Sequence, residues 1–340
     1  MKKFFLLLLV LASLMGTSTT VTSCSSNDKK APMLGKSQSA PYEMLLVANK
    51  EWLNTMAGQA LSVVLNSPIE GLPQAEPHFR LTKINPAAFD GTFRFYANVI
   101  VVKIGKDYPE PKVRMVEDAY CRPQLILYLE APDDNSFITL VRERAELILS
   151  MFDAREIARE RSLLKKTYSG KVQKQAKQQF GTDIKVPLDI DDIKKGKDFF
   201  WASDSKNEFR SNICMYTLPL KDMSLNDFVA ARDSVMKINI PGDKENQWME
   251  TDGRTVTFKA TELEGSSIPV IQVRGLWDMR NDAMGGPFVS YVYTDNTNSR
   301  LLVVEGFVFA PTETKRAIIR PLEAALQTVI LPEMQPNTQE

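Results

Sequence analysis

The sequence of 340 residues contains one histidine and three cysteines. A lone His78 excludes metal sites that need two histidines, such as the zinc helix His-Glu-x-x-His. The Gly-x-Ser-x-Gly elbow, the P-loop and the Gly-x-Gly-x-x-Gly fingerprint are also missing. The sequence therefore predicts no catalytic residue, no cofactor and no metal ion, and we expect His78 to be an ordinary surface-loop histidine.

An excess of charge of one sign is missing too, since 42 Lys and Arg stand against 42 Asp and Glu. Loss of an N-terminal leader with Lys2 and Lys3 leaves two more acidic than basic residues. This balance gives no reason to expect a nucleic-acid partner.

The N-terminus has a positive start at Lys2 and Lys3 and then an apolar run over residues 4–15. The run has the length of an export signal and is shorter than the roughly 20 residues of a membrane span. Val21-Thr22-Ser23-Cys24 resembles the lipobox of bacterial lipoproteins. We expect residues 1–23 to be a signal peptide and Cys24 to be acylated and held in the bilayer; the alternative is an ordinary secretory signal with an incidental cysteine.

Residues 24–41 are polar and predict a flexible tether between the lipid and the folded body. The lack of Asp at position 25 resembles the sorting rule for outer-membrane lipoproteins, so we expect an envelope protein on the outer membrane. Cys121 and Cys214 remain after acylation of Cys24. They stand at strand-like runs, where buried free thiols are expected and a disulfide is the alternative.

The distribution of strands and helices predicts an α+β fold of two lobes, residues 42–178 and 179–332, followed by a disordered tail at 333–340. Each lobe is expected to hold a mainly antiparallel sheet with packed helices, because strands outnumber helices and short turns such as "DNTNS" join the last strands. A long helical stretch over about 135–178 would join the lobes. Ser224 and Asp227 predict a capping box at the start of a helix over 224–237.

Residues 155–177 carry eight Arg or Lys against two Glu. Such a run could rest on anionic lipid or on a phosphate-rich envelope polymer. A solvated helix face explains the same run more simply and is the interpretation that we favour.

The most informative stretch is 271–311, in which charged residues interrupt strand patterns. Glu305 shares a strand face with apolar neighbours, and Arg274 is its candidate partner, as a structural ion pair or as a ligand site. Asp278 and Asp282 are the other acids nearby. A hydrolase or transferase working with carboxylates would have to use these acids.

"RGLWDMRNDAMGGPFVSY" and "VVEGFVFAP", together with the lipobox, resemble an uncharacterised family of lipoproteins found in Bacteroides and its relatives. The resemblance runs over nearly the whole chain and implies an envelope lipoprotein, with no activity or ligand to carry over. We therefore expect a non-enzymatic binding or structural protein with an envelope protein or polymer as a possible partner. The alternative is a carboxylate-dependent hydrolase or transferase acting on envelope polymers.

Overall fold

The computed structural model describes residues 34–204, 210–263 and 269–334. Its N-terminal lobe contains seven strands and three helices: β1 (Gly35–Lys36), β2 (Glu43–Val47), α1 (Met56–Leu65), β3 (Arg80–Ile84), β4 (Asn98–Ile104), β5 (Lys112–Glu117), β6 (Cys121–Arg122), β7 (Leu125–Ala131), α2 (Asp134–Glu143) and α3 (Ala145–Leu164). The C-terminal lobe continues with α4 (Gly170–Phe180), β8 (Asp192–Gly196), β9 (Phe199–Ser203), β10 (Arg210–Pro219), α5 (Leu225–Asn239), β11 (Met249–Thr261), β12 (Val270–Met279), β13 (Gly285–Asp295), β14 (Arg300–Phe309) and α6 (Arg316–Leu326). The α+β fold, with one large sheet in each lobe, is confirmed.

The N-terminal sheet has the strand order β3-β2-β4-β7-β5 and is mixed. Only β5 runs antiparallel to its neighbour, so the prediction of a mainly antiparallel sheet is wrong for this lobe. The physical reason lies in β2, where Leu45, Leu46 and Val47 are all buried. Strands buried on both faces are typical of parallel sheets covered on each side, and α1 is the crossover between β2 and β3.

The first described residues belong to the folded body. β1 pairs in parallel with β6, and the Ser37 N–H donates to the Arg122 carbonyl at 3.0 Å. Ser39 is buried, and its hydroxyl oxygen accepts a hydrogen bond from the Ala97 N–H at 3.0 Å. Residues 34–41 are therefore not part of the predicted flexible tether, because backbone pairing fixes this segment where side-chain composition gave no signal. Residues 24–33 lie outside the described residues.

The C-terminal sheet is antiparallel, as predicted, with the order β11-β12-β13-β14-β10-β9-β8. Its two faces carry separate apolar cores. Val289, Tyr291 and Val304 lie on the face covered by α4 and α6. Val303 and Phe307 lie on the opposite face, beneath α5.

The capping box at the start of α5 is confirmed, since Ser224 and Asp227 cap each other's backbone N–H groups. The helical stretch predicted over 135–178 is divided into α2, α3 and α4. Val172, Ala176 and Phe180 of α4 pack into the core of the C-terminal sheet, although the prediction assigned residues up to 178 to the N-terminal lobe. Residues 165–169, between α3 and α4, are thus the connection between the lobes.

The two lobes meet where α3 packs against α6. The Glu76 carboxylate, from the loop before β3, accepts hydrogen bonds from the backbone N–H groups of Lys315 at 2.7 Å and Arg316 at 3.0 Å. An acidic side chain of the first lobe therefore stabilises the N-terminus of the last helix.

Cys121 and Cys214 are both buried and free. Of the helices in the part of the chain that the structure describes, none is sufficiently long and apolar to cross a membrane.

Candidate functional site

A cluster of buried charges lies where the two lobes meet. His78 comes from the loop before β3, Asp153 from α3, Arg274 from β12, and Arg320 and Glu323 from α6. We call these five residues the ionic cleft.

The N-terminal side of the ionic cleft is a short contact between His78 and Asp153. The histidine Nδ1 lies 2.6 Å from Asp153 Oδ2, and Arg320 Nη2 lies 2.9 Å from the same oxygen. An ionised carboxylate can only accept, so Nδ1 carries the proton and donates it. Among the described residues no hydrogen bond is made by the histidine Nε2, which leaves this ring nitrogen available to a bound molecule.

The C-terminal side is built around Glu323. Its Oε2 accepts from Arg320 Nη1 at 3.0 Å, and its Oε1 accepts from Arg274 Nη2 and from Gln272 Nε2, the latter at 3.2 Å. Arg320 thus bridges the carboxylates of Asp153 and Glu323, and through them it links the two lobes.

Both carboxylates of the ionic cleft are held in their ionised form. Burial of Asp153 raises its pKa, but the charge of Arg320 and the hydrogen bond from His78 outweigh burial and lower the pKa below its usual value. Burial acts on Glu323 in the same direction and is outweighed by Arg274 and Arg320, so its pKa is also lowered. A general acid needs a carboxyl that keeps its proton near neutral pH, whereas Asp153 and Glu323 have lowered pKa values and lose theirs.

The ionic cleft opens on two concave surfaces. One, with a volume of about 510 Å³, is lined by Asp153, Arg274 and Arg320 together with His78 and the rim residue Glu70. The other, of about 380 Å³, is lined by the same first three residues and by Glu323. These volumes are within the range of small-ligand sites.

A larger groove of about 670 Å³ lies between residues 111–113 and α2. Its charged lining residues Lys112, Glu143 and Arg144 are exposed, and none of its lining residues belongs to the ionic cleft. Size alone therefore does not make it the better candidate.

Two buried polar atoms of the ionic cleft lack a hydrogen-bond partner within the described residues, Asp153 Oδ1 and Arg320 Nε. A buried polar atom without a partner costs free energy, typically about 1–3 kcal/mol. A bound molecule with both a donor and an acceptor would satisfy them. In the described ranges no group of three or more His, Cys, Asp or Glu side chains is arranged to hold a metal ion.

Arg274 and Glu305, the predicted pair, do not contact each other. In the strand register Arg274 pairs with Val289, and Val289 pairs with Gly306. Paired residues on neighbouring strands share a face of the sheet, so Arg274 lies on the face of Gly306. Glu305, one residue before Gly306, lies on the other face. The one-residue offset in register is the physical reason why the predicted pair is wrong.

Glu305 is paired instead with Arg232 of α5, with 2.8 Å between Oε1 and Nη2. The Ser290 hydroxyl donates to Glu305 Oε2 at 2.7 Å, and Arg232 Nη1 donates to Thr251 Oγ1 at 2.8 Å. The side chains of Arg232 and Glu305 are each 0% exposed. We call Arg232, Glu305, Ser290 and Thr251 the enclosed pair site, and solvent cannot reach its carboxylate.

The other predicted acids lie at the turn between β12 and β13. Asp278 pairs with Glu250 in the strand register, and its pKa is raised by partial burial and by the charge of Asp252. Asp282 accepts a hydrogen bond from Gln247 Nε2 at 3.0 Å. Neither carboxylate is brought together with Glu305. Cys24 lies outside the described residues.

The ionic cleft was missed because His78 and Asp153 are far apart in the sequence and neither stands in a motif. A signal did exist for Arg232, which lies between Phe228 and Met236 at helical spacing on the buried face of α5. A charged residue on an apolar stripe predicts a buried partner.

Two family models match the chain, one over residues 37–165 and the other over residues 169–328. Both models represent domains of unknown function. They are described as DUF8532 and DUF4837, in that order along the sequence. No curated protein matches the sequence. The ionic cleft takes His78 and Asp153 from the DUF8532 region and Arg274, Arg320 and Glu323 from the DUF4837 region.

Proposed function

We propose that this protein is a lipoprotein of the bacterial cell envelope, carried on the outer membrane by acylated Cys24, and that its folded body binds an envelope protein or polymer. The signal-like leader and the sequence Val21-Thr22-Ser23-Cys24 support the anchor. Three acyl chains on one cysteine would hold the protein on the bilayer.

The ionic cleft is the observation that carries the binding role. It combines ionised carboxylates, two arginines and unpartnered polar atoms in a concave surface between the lobes. Ionised groups fixed by arginines recognise polar molecules through charge-assisted hydrogen bonds. A carboxylate-dependent hydrolase has less support, because Glu305 is enclosed with Arg232 and neither Asp278 nor Asp282 faces it.

The anchor is tested by growing cells that express the chain with an alkyne fatty acid and detecting the labelled protein on a gel. We expect label on the wild type and on Cys121→Ala, and none on Cys24→Ala. The Cys121→Ala variant is the matched control because it also removes one cysteine but leaves the leader intact. Equal labelling of wild type and Cys24→Ala would refute the anchor.

The binding role is tested with a photoreactive amino acid placed at Glu70, on the rim of the ionic cleft, and separately at Ile238, which is 79% exposed on α5. In intact cells we expect a discrete cross-linked species from position 70 and none from position 238. Cross-linking at both positions, or at neither, would contradict a partner at the ionic cleft.

A further inference from the structure

A further concave surface, of about 620 Å³, lies between β1, β6 and the C-terminal half of α3. Five basic residues line it: Lys36, Arg122, Arg155, Arg159 and Lys166. We call these five residues the basic groove. Asp118 is the single carboxylate in its lining, so the groove is strongly positive on a chain that has no excess of basic residues.

Part of this positive charge is not used inside the protein. Lys36, Arg122 and Lys166 are exposed, and in the described part of the chain Lys36 and Lys166 form neither an ion pair nor a side-chain hydrogen bond. The three arginines of the groove form ion pairs with neighbouring carboxylates. The ammonium groups of Lys36 and Lys166 are thus the donors available to acceptors from outside.

The basic groove lies beside the first residues that the structure describes. β1 forms one wall of the groove, and the Arg159 Nη2 donates to the carbonyl of Ser39 at 3.2 Å. Leu34 is ten positions after Cys24 in the sequence. A fully extended chain of this length spans at most about 35 Å.

From these observations we propose that the basic groove docks on the phosphate groups of anionic lipids in the membrane that carries the anchor. This inference rests on the proposed function, because acylation of Cys24 would bring that bilayer within reach of the groove. The tether makes docking intramolecular, so a few charge contacts suffice.

An apolar side chain favours lipid over a soluble phosphate. Leu163 lines the same groove and is 54% exposed. A leucine beside basic residues fits the boundary between headgroups and acyl chains, as in amphipathic membrane-surface helices. A free phosphate would gain nothing from it.

The test uses the mature chain from residue 24 with Cys24→Ser, so that no acyl group contributes, and measures sedimentation with vesicles. We expect binding to vesicles with about 30% phosphatidylglycerol in phosphatidylethanolamine, and none to pure phosphatidylcholine. Raising NaCl from about 50 to about 300 mM should release the protein. Inorganic phosphate at the concentration of the lipid phosphate should not compete.

The decisive variant is Lys36→Gln/Arg122→Gln/Lys166→Gln, which neutralises the exposed members of the basic groove. Each charge is expected to contribute about fivefold to the partition coefficient, so the triple variant should bind about a hundredfold more weakly. The control is Lys195→Gln/Lys197→Gln/Lys244→Gln, with the same change in net charge at exposed positions outside the groove. It should bind within about threefold of the wild type.

Equal losses in the two triple variants would overturn the proposal, since net charge alone would then account for binding. Absence of binding to anionic vesicles at low salt, equal binding to phosphatidylcholine, or competition by inorganic phosphate would also overturn it. Fatty-acid labelling separates this result from the anchor: labelled Cys24 with no vesicle binding refutes only the groove, and groove-dependent binding without label refutes only the anchor.

Discussion

The enclosed pair site and the ionic cleft lie on opposite faces of one sheet and use the same residue types in different ways. Arg232 and Glu305 are fully buried, and hydrogen bonds within the protein satisfy both charged groups. In the ionic cleft Asp153 is 17% exposed, and one of its oxygens has no hydrogen-bond partner in the described residues. The comparison distinguishes an ion pair that fixes packing from one that can still accept a hydrogen bond from a bound molecule.

The largest effect is expected from breaking the enclosed pair site with Arg232→Met. The change leaves the Glu305 charge buried without its partner, which should lower the free energy of unfolding by about 3–5 kcal/mol. Urea denaturation followed by tryptophan fluorescence measures this. Arg232→Met/Glu305→Gln should be less damaging than the sum of the single variants, by about 2 kcal/mol.

In the matched control, the double-variant comparison is repeated with Arg274, on the other face of the sheet, in place of Arg232. Arg274→Met and Glu305→Gln should be additive within about 0.5 kcal/mol, because the two side chains share no partner. A coupling as large as that of Arg232 with Glu305 would contradict the strand register described here.

A smaller loss is expected from Arg320→Met in the ionic cleft. Glu323 keeps Arg274, and Asp153 keeps His78 and part of its contact with water, so the free energy of unfolding should fall by about 2 kcal/mol. The same urea titration measures it. A loss equal to that of Arg232→Met would mean that the ionic cleft is as closed as the enclosed pair site.

The smallest effect on stability is expected from Asp153→Asn, and it should depend on pH. It allows Asp153 to be compared with a second carboxyl of α3. The pKa of Asp153 is lowered by folding, so its contribution is present above the unfolded pKa of about 4 and is lost as pH falls through the folded pKa. Asp153→Asn should therefore cost about 1 kcal/mol at pH 7, and this cost should shrink as the pH falls below the unfolded pKa of about 4. Thermal unfolding across this range measures the difference.

Glu160, two turns further along α3, is the matched control with the opposite sign. Its pKa is raised by burial and by the charge of Glu156, so folding favours the protonated form and ionisation at neutral pH opposes folding. Glu160→Gln should leave the melting temperature at pH 7 unchanged or slightly higher. A loss of stability at pH 7 similar to that of Asp153→Asn would show that the two carboxyls do not differ as described.

Local features were predictable from the sequence because their causes are local. The capping box of Ser224 and Asp227 joins residues three apart, and the hairpin after β13 follows from a short polar turn between apolar strands. Glu305 was correctly singled out as a carboxylate on an apolar strand face. Excluding Arg274 as its partner required the register of β12, β13 and β14, which alternation alone does not determine.

Long-range features were not predictable from one sequence. His78 and Asp153 come together because α3 packs beside the loop before β3, and Arg320 joins them because α6 packs on α3. The parallel pairing of β2, β3 and β4 depends likewise on how a crossover helix packs. The one usable sequence signal for such contacts was a Lys or Arg at the helical spacing of apolar residues, as Arg232 is between Phe228 and Met236.

The contacts made by α6 have a consequence for the order in which the protein folds. Glu76 caps this helix, and Asp153 pairs with its Arg320, so parts of the first lobe are completed by a helix that follows both sheets in the sequence. Contacts between residues so far apart in the chain form late and slow the folding rate. A chain interrupted before residue 316 would expose Asp153 and the facing surface of α3, and would offer proteases a surface that the folded protein covers.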